Sequence, residues 1–281
     1  MTGPVTATAP ALCRARGRVE LGFARRRERS YARDVYQSGC ARVLFPKTPG
    51  CPEAVLVNTA GGVTDGDELA WDVALEAGAE ALVTTQAAER IYRSRGLPGR
   101  IATGLRLGAG AMLSWLPQPT ILFDRGRLDR RLVAELAPAA RLLACESLVF
   151  GRTARGERVT DGFIHDSWRV HRDGRLVWAD AFSLAGDIDA ALRRPAILDG
   201  GRAIATCLYV AEDAARWLEP VRGWLAAAAV RAGVSLMPGL LVMRFIGDSG
   251  RAVQDALRAL LGRLRSALAG RELALPRVWS C

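Results

Sequence analysis

The chain has 281 residues, half of them hydrophobic, and a formal net charge of +10. That length and composition supply a sizeable core. No run of about 18 uninterrupted apolar residues is present to cross a membrane, and no membrane partner is expected. The positive balance would suit nucleic acid or an acidic partner, but Lys47 is the only lysine and the arginines are spread along the chain. The one dense run is Arg25-Arg26-Arg27-Glu28-Arg29, so the charge reads as the composition of a biased genome and no nucleic-acid partner is expected.

Residues 1–12 lack the basic start and apolar stretch of a signal peptide and read as a disordered leader. The six cysteines, Cys13, Cys40, Cys51, Cys145, Cys207 and Cys281, form no C-x-x-C pair and read as reduced, mostly buried thiols of a cytoplasmic protein. A degenerate repeat then organises the first half. Leu75-Glu76-Ala77-Gly78-Ala79 is echoed by Leu107-Gly108-Ala109-Gly110-Ala111 and by Leu136-Ala137-Pro138-Ala139-Ala140. The leading leucines are 32 and 29 residues apart. Each copy reads as a strand end, a small-residue turn and a new strand, which predicts stacked β units sharing one core. The result is a mainly β fold, an irregular β-helix or a sandwich-like body.

Further strands are expected at 54–57, 120–123, 163–170, 175–178 and 240–246, with Asp173-Gly174 as a hairpin turn. Helical periodicity comes late. Leu257, Leu260, Leu261, Leu264 and Leu268 share one face of a helix near 250–269, with Asp248 or Ser249 to cap its start and Gly270 to end it. A second helix is expected near 212–231, kinked or restarted at Pro220. No Pro/Gly/Ser linker divides the chain, so residues 1–281 read as one domain.

The sequence excludes more chemistry than it carries. A Walker A loop needs a lysine after glycine, and Lys47 follows Pro46. His165 and His171 are the only histidines, and the following turn makes them a strand-end pair at best. Gly61-Gly62 with Gly66-Asp67 lies between strands, so it reads as a tight turn rather than a phosphate cradle. Thr84-Thr85-Gln86 to Tyr92 breaks an apolar strand with polar residues, as either a polar lining and docking surface or a strand edge with its loop. Gln118 repeats that break one unit later. Glu146 stands alone among apolar neighbours, where a charge needs a partner or water. Polar groups at equivalent places in stacked units would form an internal polar column.

These segments together resemble the urease accessory protein D family. The resemblance is carried by Gly61-Gly62 with Gly66-Asp67, by Thr84 to Tyr92 and by Trp115-Leu116-Pro117-Gln118 to Phe123. It continues through Glu146, Gly151-Arg152-Thr153-Ala154-Arg155-Gly156-Glu157, Arg172 to Asp180, and the closing Pro276-Arg277-Val278-Trp279. Val63-Thr64-Asp65 is a notable departure from the family's local pattern. The resemblance implies a β-rich, non-catalytic scaffold that works with accessory proteins F and G, the latter a GTPase, on the urease apoprotein. It implies a path for nickel, and no tightly bound cofactor. Asp67, Glu146, Glu157 and Asp180 are the candidate transient Ni²⁺ contacts, with Gln86 and Gln118 as polar neighbours. Two other classes compete: a β-helix hydrolase or lyase using Glu146 and Asp124 as paired carboxylates, and a basic nucleic-acid binder.

Overall fold

The computed structural model describes residues 13–48, 50–152 and 155–280. The expected leader at 1–12 lies outside the described residues, as do Thr153 and Ala154 of the resemblance. The first strands are β1 (Arg16–Arg26), β2 (Arg29–Gly39), β3 (Ala41–Leu44), β4 (Glu53–Asn58), β5 (Glu68–Leu75) and β6 (Glu80–Thr85). There follow β7 (Glu89–Ile91), β8 (Gly99–Leu107), β9 (Met112–Leu116), β10 (Thr120–Leu122), β11 (Arg127–Leu136) and β12 (Arg141–Phe150). The last are β13 (Gly162–Arg172), β14 (Arg175–Gly186), β15 (Ala203–Val210), β16 (Arg231–Met237) and β17 (Leu240–Gly247). The helices are α1 (Ile188–Leu192), α2 (Leu218–Ala226) and α3 (Gly250–Ala269).

The strands form two facing sheets. One has seven strands in the order β14-β13-β11-β8-β5-β1-β2. The other has ten, with the path β16-β17-β15-β12-β9-β6-β4-β3, with β10 paired to β12 and β7 to β10. The chain crosses from one sheet to the other and back, β5 to β6, β8 to β9, β11 to β12. Successive crossings pair in parallel. The body is therefore a β-solenoid, closed at its ends by antiparallel hairpins.

The repeat is the register of this solenoid. Leu75 pairs with Leu107, and Leu107 with Leu136, so the three leading leucines stand in one column. The small-residue turns stack in the same way. The Gly78 N–H donates to Ala109 O at 2.8 Å, and the Gly110 N–H to Pro138 O at 3.1 Å. Each turn needs one residue in the left-handed region, met by Gly78 (φ 67°), Gly110 (φ 65°) and Ala139 (φ 57°).

Alternation decides what fills the interior. In β5, Leu69, Trp71, Val73 and Leu75 point inward; in β11, Leu128, Leu132, Ala134 and Leu136 do. The opposite face of the ten-stranded sheet carries a second apolar layer, including Leu82, Met112, Leu116, Leu143 and Cys145, which α2, α3 and the C-terminal segment cover. The stripe of α3, Val253, Leu257, Leu260, Leu261 and Leu264, is buried against it. Each such side chain contributes about 1.5–3 kcal/mol by leaving water. The Ser249 hydroxyl caps the helix, accepting from the Ala252 N–H at 3.2 Å, and Gly270 ends it at φ 63°.

Several expectations need correction. The helix expected near 212–231 is a 3-10 turn at Ala214–Trp217 followed by α2, and Arg231 already begins β16. Pro220 sits in the first turn of α2, where its missing N–H costs nothing. The five-residue α1 is a third helix that the sequence reading did not include. His165 and His171 lie on one strand, β13, which continues to Arg172, and both sit on its outward face, opposite buried Ile164, Asp166, Trp168 and Val170. The Asp173-Gly174 turn is as expected, both residues having positive φ (49° and 72°). Among the described residues no helix is long and apolar enough to cross a membrane.

The exposed Ala139 turn yields a stability prediction. A left-handed alanine costs about 1–2 kcal/mol, and glycine returns part of that as unfolded-chain entropy. Ala139→Gly should raise stability by about 0.5–1 kcal/mol, read from urea unfolding midpoints.

Candidate functional site

Towards one side of the solenoid the inward positions stop being apolar. Arg130 occupies an inward place in β11, Asp166 the neighbouring place in β13, and Glu146 faces them from β12. All three are buried, Arg130 and Glu146 each to 5 % exposure. Arg130 grips Asp166 in a two-pronged contact, Nε to Oδ1 at 2.9 Å and Nη2 to Oδ2 at 2.7 Å, and its Nη1 donates to Thr120 Oγ1 at 3.0 Å. Glu146 Oε2 also lies 3.1 Å from Arg130 Nε. That nitrogen has one hydrogen, and it points to Asp166, so Glu146 Oε2 is left without a hydrogen-bond partner. Glu146 Oε1 has a long contact from Trp115 Nε1 at 3.5 Å.

One guanidinium thus faces two buried carboxylates. Burial pushes the Glu146 carboxyl up to about 7; Arg130 opposes the rise and Asp166 adds to it. Burial alone would lower Arg130, but Asp166 and then Glu146 outweigh it and hold its proton more firmly. Glu146 therefore exchanges a proton near neutrality.

The trio belongs to a longer row. On one side a cavity of about 40 Å³ is bordered by Thr103, Thr120, Glu89, Arg130 and Glu146. There the Asn58 amide donates to Glu89 Oε1 at 3.2 Å, and burial raises the Glu89 carboxyl. On the other side a cavity of about 20 Å³ is bordered by Glu146, Asp166, Thr206, Asp180 and Arg244. Either is large enough for a water or two. Glu146 pairs with Thr206 and Thr206 with Arg244, so the row steps from strand to strand across the sheet. It ends in the Arg244–Asp180 ion pair at 2.6 Å, where both side chains reach solvent. The other end meets a surface groove of about 940 Å³ beside the start of α3. Gln86, Ala87 and Gln118 border both the groove and the inner cavity.

The structure brings Glu146 and Asp180 together, and it places Thr85, Gln86 and Gln118 at the groove end. Thr85 Oγ1 accepts from the Gln118 N–H at 2.8 Å, and the Gln118 amide donates to Val278 O at 3.2 Å. The other sequence candidates lie elsewhere. Asp67 is buried in the glycine turn, its oxygens taking the Ala15 and Thr64 N–H groups at 2.8 and 2.9 Å. Glu157 is held by the Arg152 side chain, which lowers its carboxyl, and by the Arg152 N–H. Thr84 faces the outer layer, where its hydroxyl donates to Leu116 O at 2.6 Å and Trp279 Nε1 approaches it at 3.2 Å. Tyr92 is an exposed ring edge-on to Phe123, with its hydroxyl on Gly61 O. Asp124, the other half of the paired-carboxylate alternative, is spent on Thr160 and the Asp161 N–H in a corner turn, so it does not join Glu146.

Sequence reading missed Arg130 and Asp166. Their signal was present: each is a charge at an inward place of an alternating strand, Leu128-x-Arg130-x-Leu132 and Ile164-x-Asp166-x-Trp168. Among the described residues no three His, Cys, Asp or Glu side chains group closely enough to hold a metal ion.

The raised Glu146 carboxyl has a pH consequence. The folded state holds a proton that the unfolded chain, near the ordinary 4.5, releases. The associated stability is complete below about 4.5 and is lost as pH rises through about 7. Glu146→Gln mimics the protonated acid at every pH. Its stability relative to the parent should therefore improve by about 2–3 kcal/mol between pH 5 and pH 8 in urea unfolding.

The profile of the UreD urease accessory protein family matches residues 15–280. A protein of Methylobacterium radiotolerans named urease accessory protein UreD 1 is 50% identical over 277 residues, covering 96% of this chain and 94% of its own. Urease accessory protein UreD of Azorhizobium caulinodans is 44% identical, covering 98% and 99%. The Magnetococcus marinus protein of the same name is 43% identical, covering 94% and 93%. With the match running from β1 through the solenoid and α3 to the 3-10 turn at Arg277–Ser280, the chain belongs to the UreD urease accessory protein family.

Proposed function

We propose that this chain is a cytoplasmic, non-catalytic urease maturation factor whose interior polar row passes nickel toward the urease metallocentre. It acts in a complex with accessory proteins F and G and the urease apoprotein. The observation that carries this reading is the row itself, buried polar groups running from the groove at Gln86 and Gln118 to the Asp180–Arg244 pair.

The chemistry of the row suits transit better than storage. Nickel binds imidazole and thiolate well and carboxylate and hydroxyl more weakly, and the row offers only the weaker kind. A conduit needs several weak sites, since one tight site would trap the ion. Glu146 adds a proton to exchange: an arriving divalent cation favours its ionised form, and the ion's departure lets the proton return. The small cavities on either side mean that the Arg130–Glu146 contact must open as an ion passes. Energy for that opening comes from a partner, since Lys47 after Pro46 leaves the chain no Walker A loop.

The test is co-expression with the urease subunits and the remaining accessory proteins, reading nickel per purified urease and urea hydrolysis. Glu146→Gln and Asp166→Asn should each lower nickel content several-fold while the variant still co-purifies with its partners. Glu157→Gln, outside the row, should leave it at the parent level. Full nickel loading by both row variants would overturn the conduit.

A further inference from the structure

A second charged feature, away from the row, lies at a corner of the solenoid. A surface depression of about 660 Å³ is lined by Arg93, Ser94, Arg95, Arg125, Arg127 and Asp161. The residues come from stacked turns: the Ser94 N–H donates to Arg125 O at 2.9 Å, and the Arg125 N–H to Asp161 O at 2.7 Å. Four arginines therefore stand with two carboxylates, Asp161 in the lining and Asp124 beside Arg125, a formal excess of two positive charges. Arg127 pairs with Asp161 at 3.3 Å, and Arg125 stands 4.0 Å from Asp124. Among the described residues the Arg93 and Arg95 guanidinium groups have no partner and are exposed.

Arg125 is also held in the left-handed region at φ 62°. Glycine relieves the strain of such a turn, and Gly78 and Gly110 supply it on the solenoid's other corner, where Ala139 is the exception. Keeping an arginine there accepts backbone strain to hold a fourth guanidinium over the depression. Guanidinium forks match the oxygens of phosphate groups. A ligand that neutralises this excess within this volume needs dense negative charge. A diphosphate carries it on a few atoms, whereas an extended acidic peptide spreads single charges about 3.3 Å apart on alternating sides.

We propose that this corner binds a small phosphate-bearing molecule through Arg93, Arg95, Arg125 and Arg127. The probe is inorganic pyrophosphate, titrated calorimetrically into the full chain in metal-free buffer at about 0.15 M ionic strength, with a hexaglutamate peptide as the second arm. Saturable pyrophosphate binding at one site is expected. Arg125→Gly should weaken it about tenfold while the thermal unfolding midpoint stays level or rises, because the glycine relieves the turn. Arg95→Ala should weaken it as well. Three results would overturn the proposal: no saturable binding of pyrophosphate, binding indifferent to both substitutions, or binding of hexaglutamate without pyrophosphate, which would make the corner a contact for an acidic protein surface.

Discussion

The in-register parallel ladder is the constraint on which the rest of the molecule depends. Because Leu75, Leu107 and Leu136 are paired in sequence, every inward position of one coil lies beside the same position of the next. The backbone groups are satisfied by neighbours on both sides, so side chains alone decide the character of each column. Leucine, valine and tryptophan in most columns give a core. Threonine, arginine and carboxylates in the others give a polar row within the same scaffold, with no change of backbone. The turns enforce the register, since their small residues stack only when the coils are aligned.

Burial of three charged groups inside such a body is costly unless they compensate one another. Arg130 and Asp166 do so in full, with a two-pronged contact and Thr120 as a further acceptor. Glu146 is the surplus member, near a nitrogen whose only hydrogen is already engaged. A proton relieves that imbalance, and so would a passing cation. On the proposed function this is why the row handles a metal ion without retaining it: the group that attracts the ion is stable without it once protonated.

Much of this was legible in the sequence, for physical reasons that differ from element to element. The leucine repeat was readable because a solenoid turn tolerates few residues, and glycine or alanine must recur at the same step. The α3 helix was readable because its apolar stripe, Ser249 cap and Gly270 stop agree with one another. Glu146 stood out as a charge in an otherwise apolar strand, but its partners did not: Arg130 follows Asp129 and precedes Arg131, and three adjacent charges hide which one points inward. Asp67 and Glu157 lie away from the row, and a carboxylate that satisfies a turn's N–H groups looks, in sequence, like one that faces a cavity. The N-terminal hairpin of β1 and β2 escaped notice because β2 is exposed along its length and shows no apolar alternation.

The most direct test of the central claim is anomalous X-ray scattering at the nickel edge from crystals of this chain soaked in Ni²⁺ at pH 8, where Glu146 is ionised. The account predicts anomalous peaks inside the solenoid, beside the Glu146 carboxylate and toward Asp180, that vanish in Glu146→Gln crystals. Nickel confined to the outer surface, with none between the sheets, would contradict it.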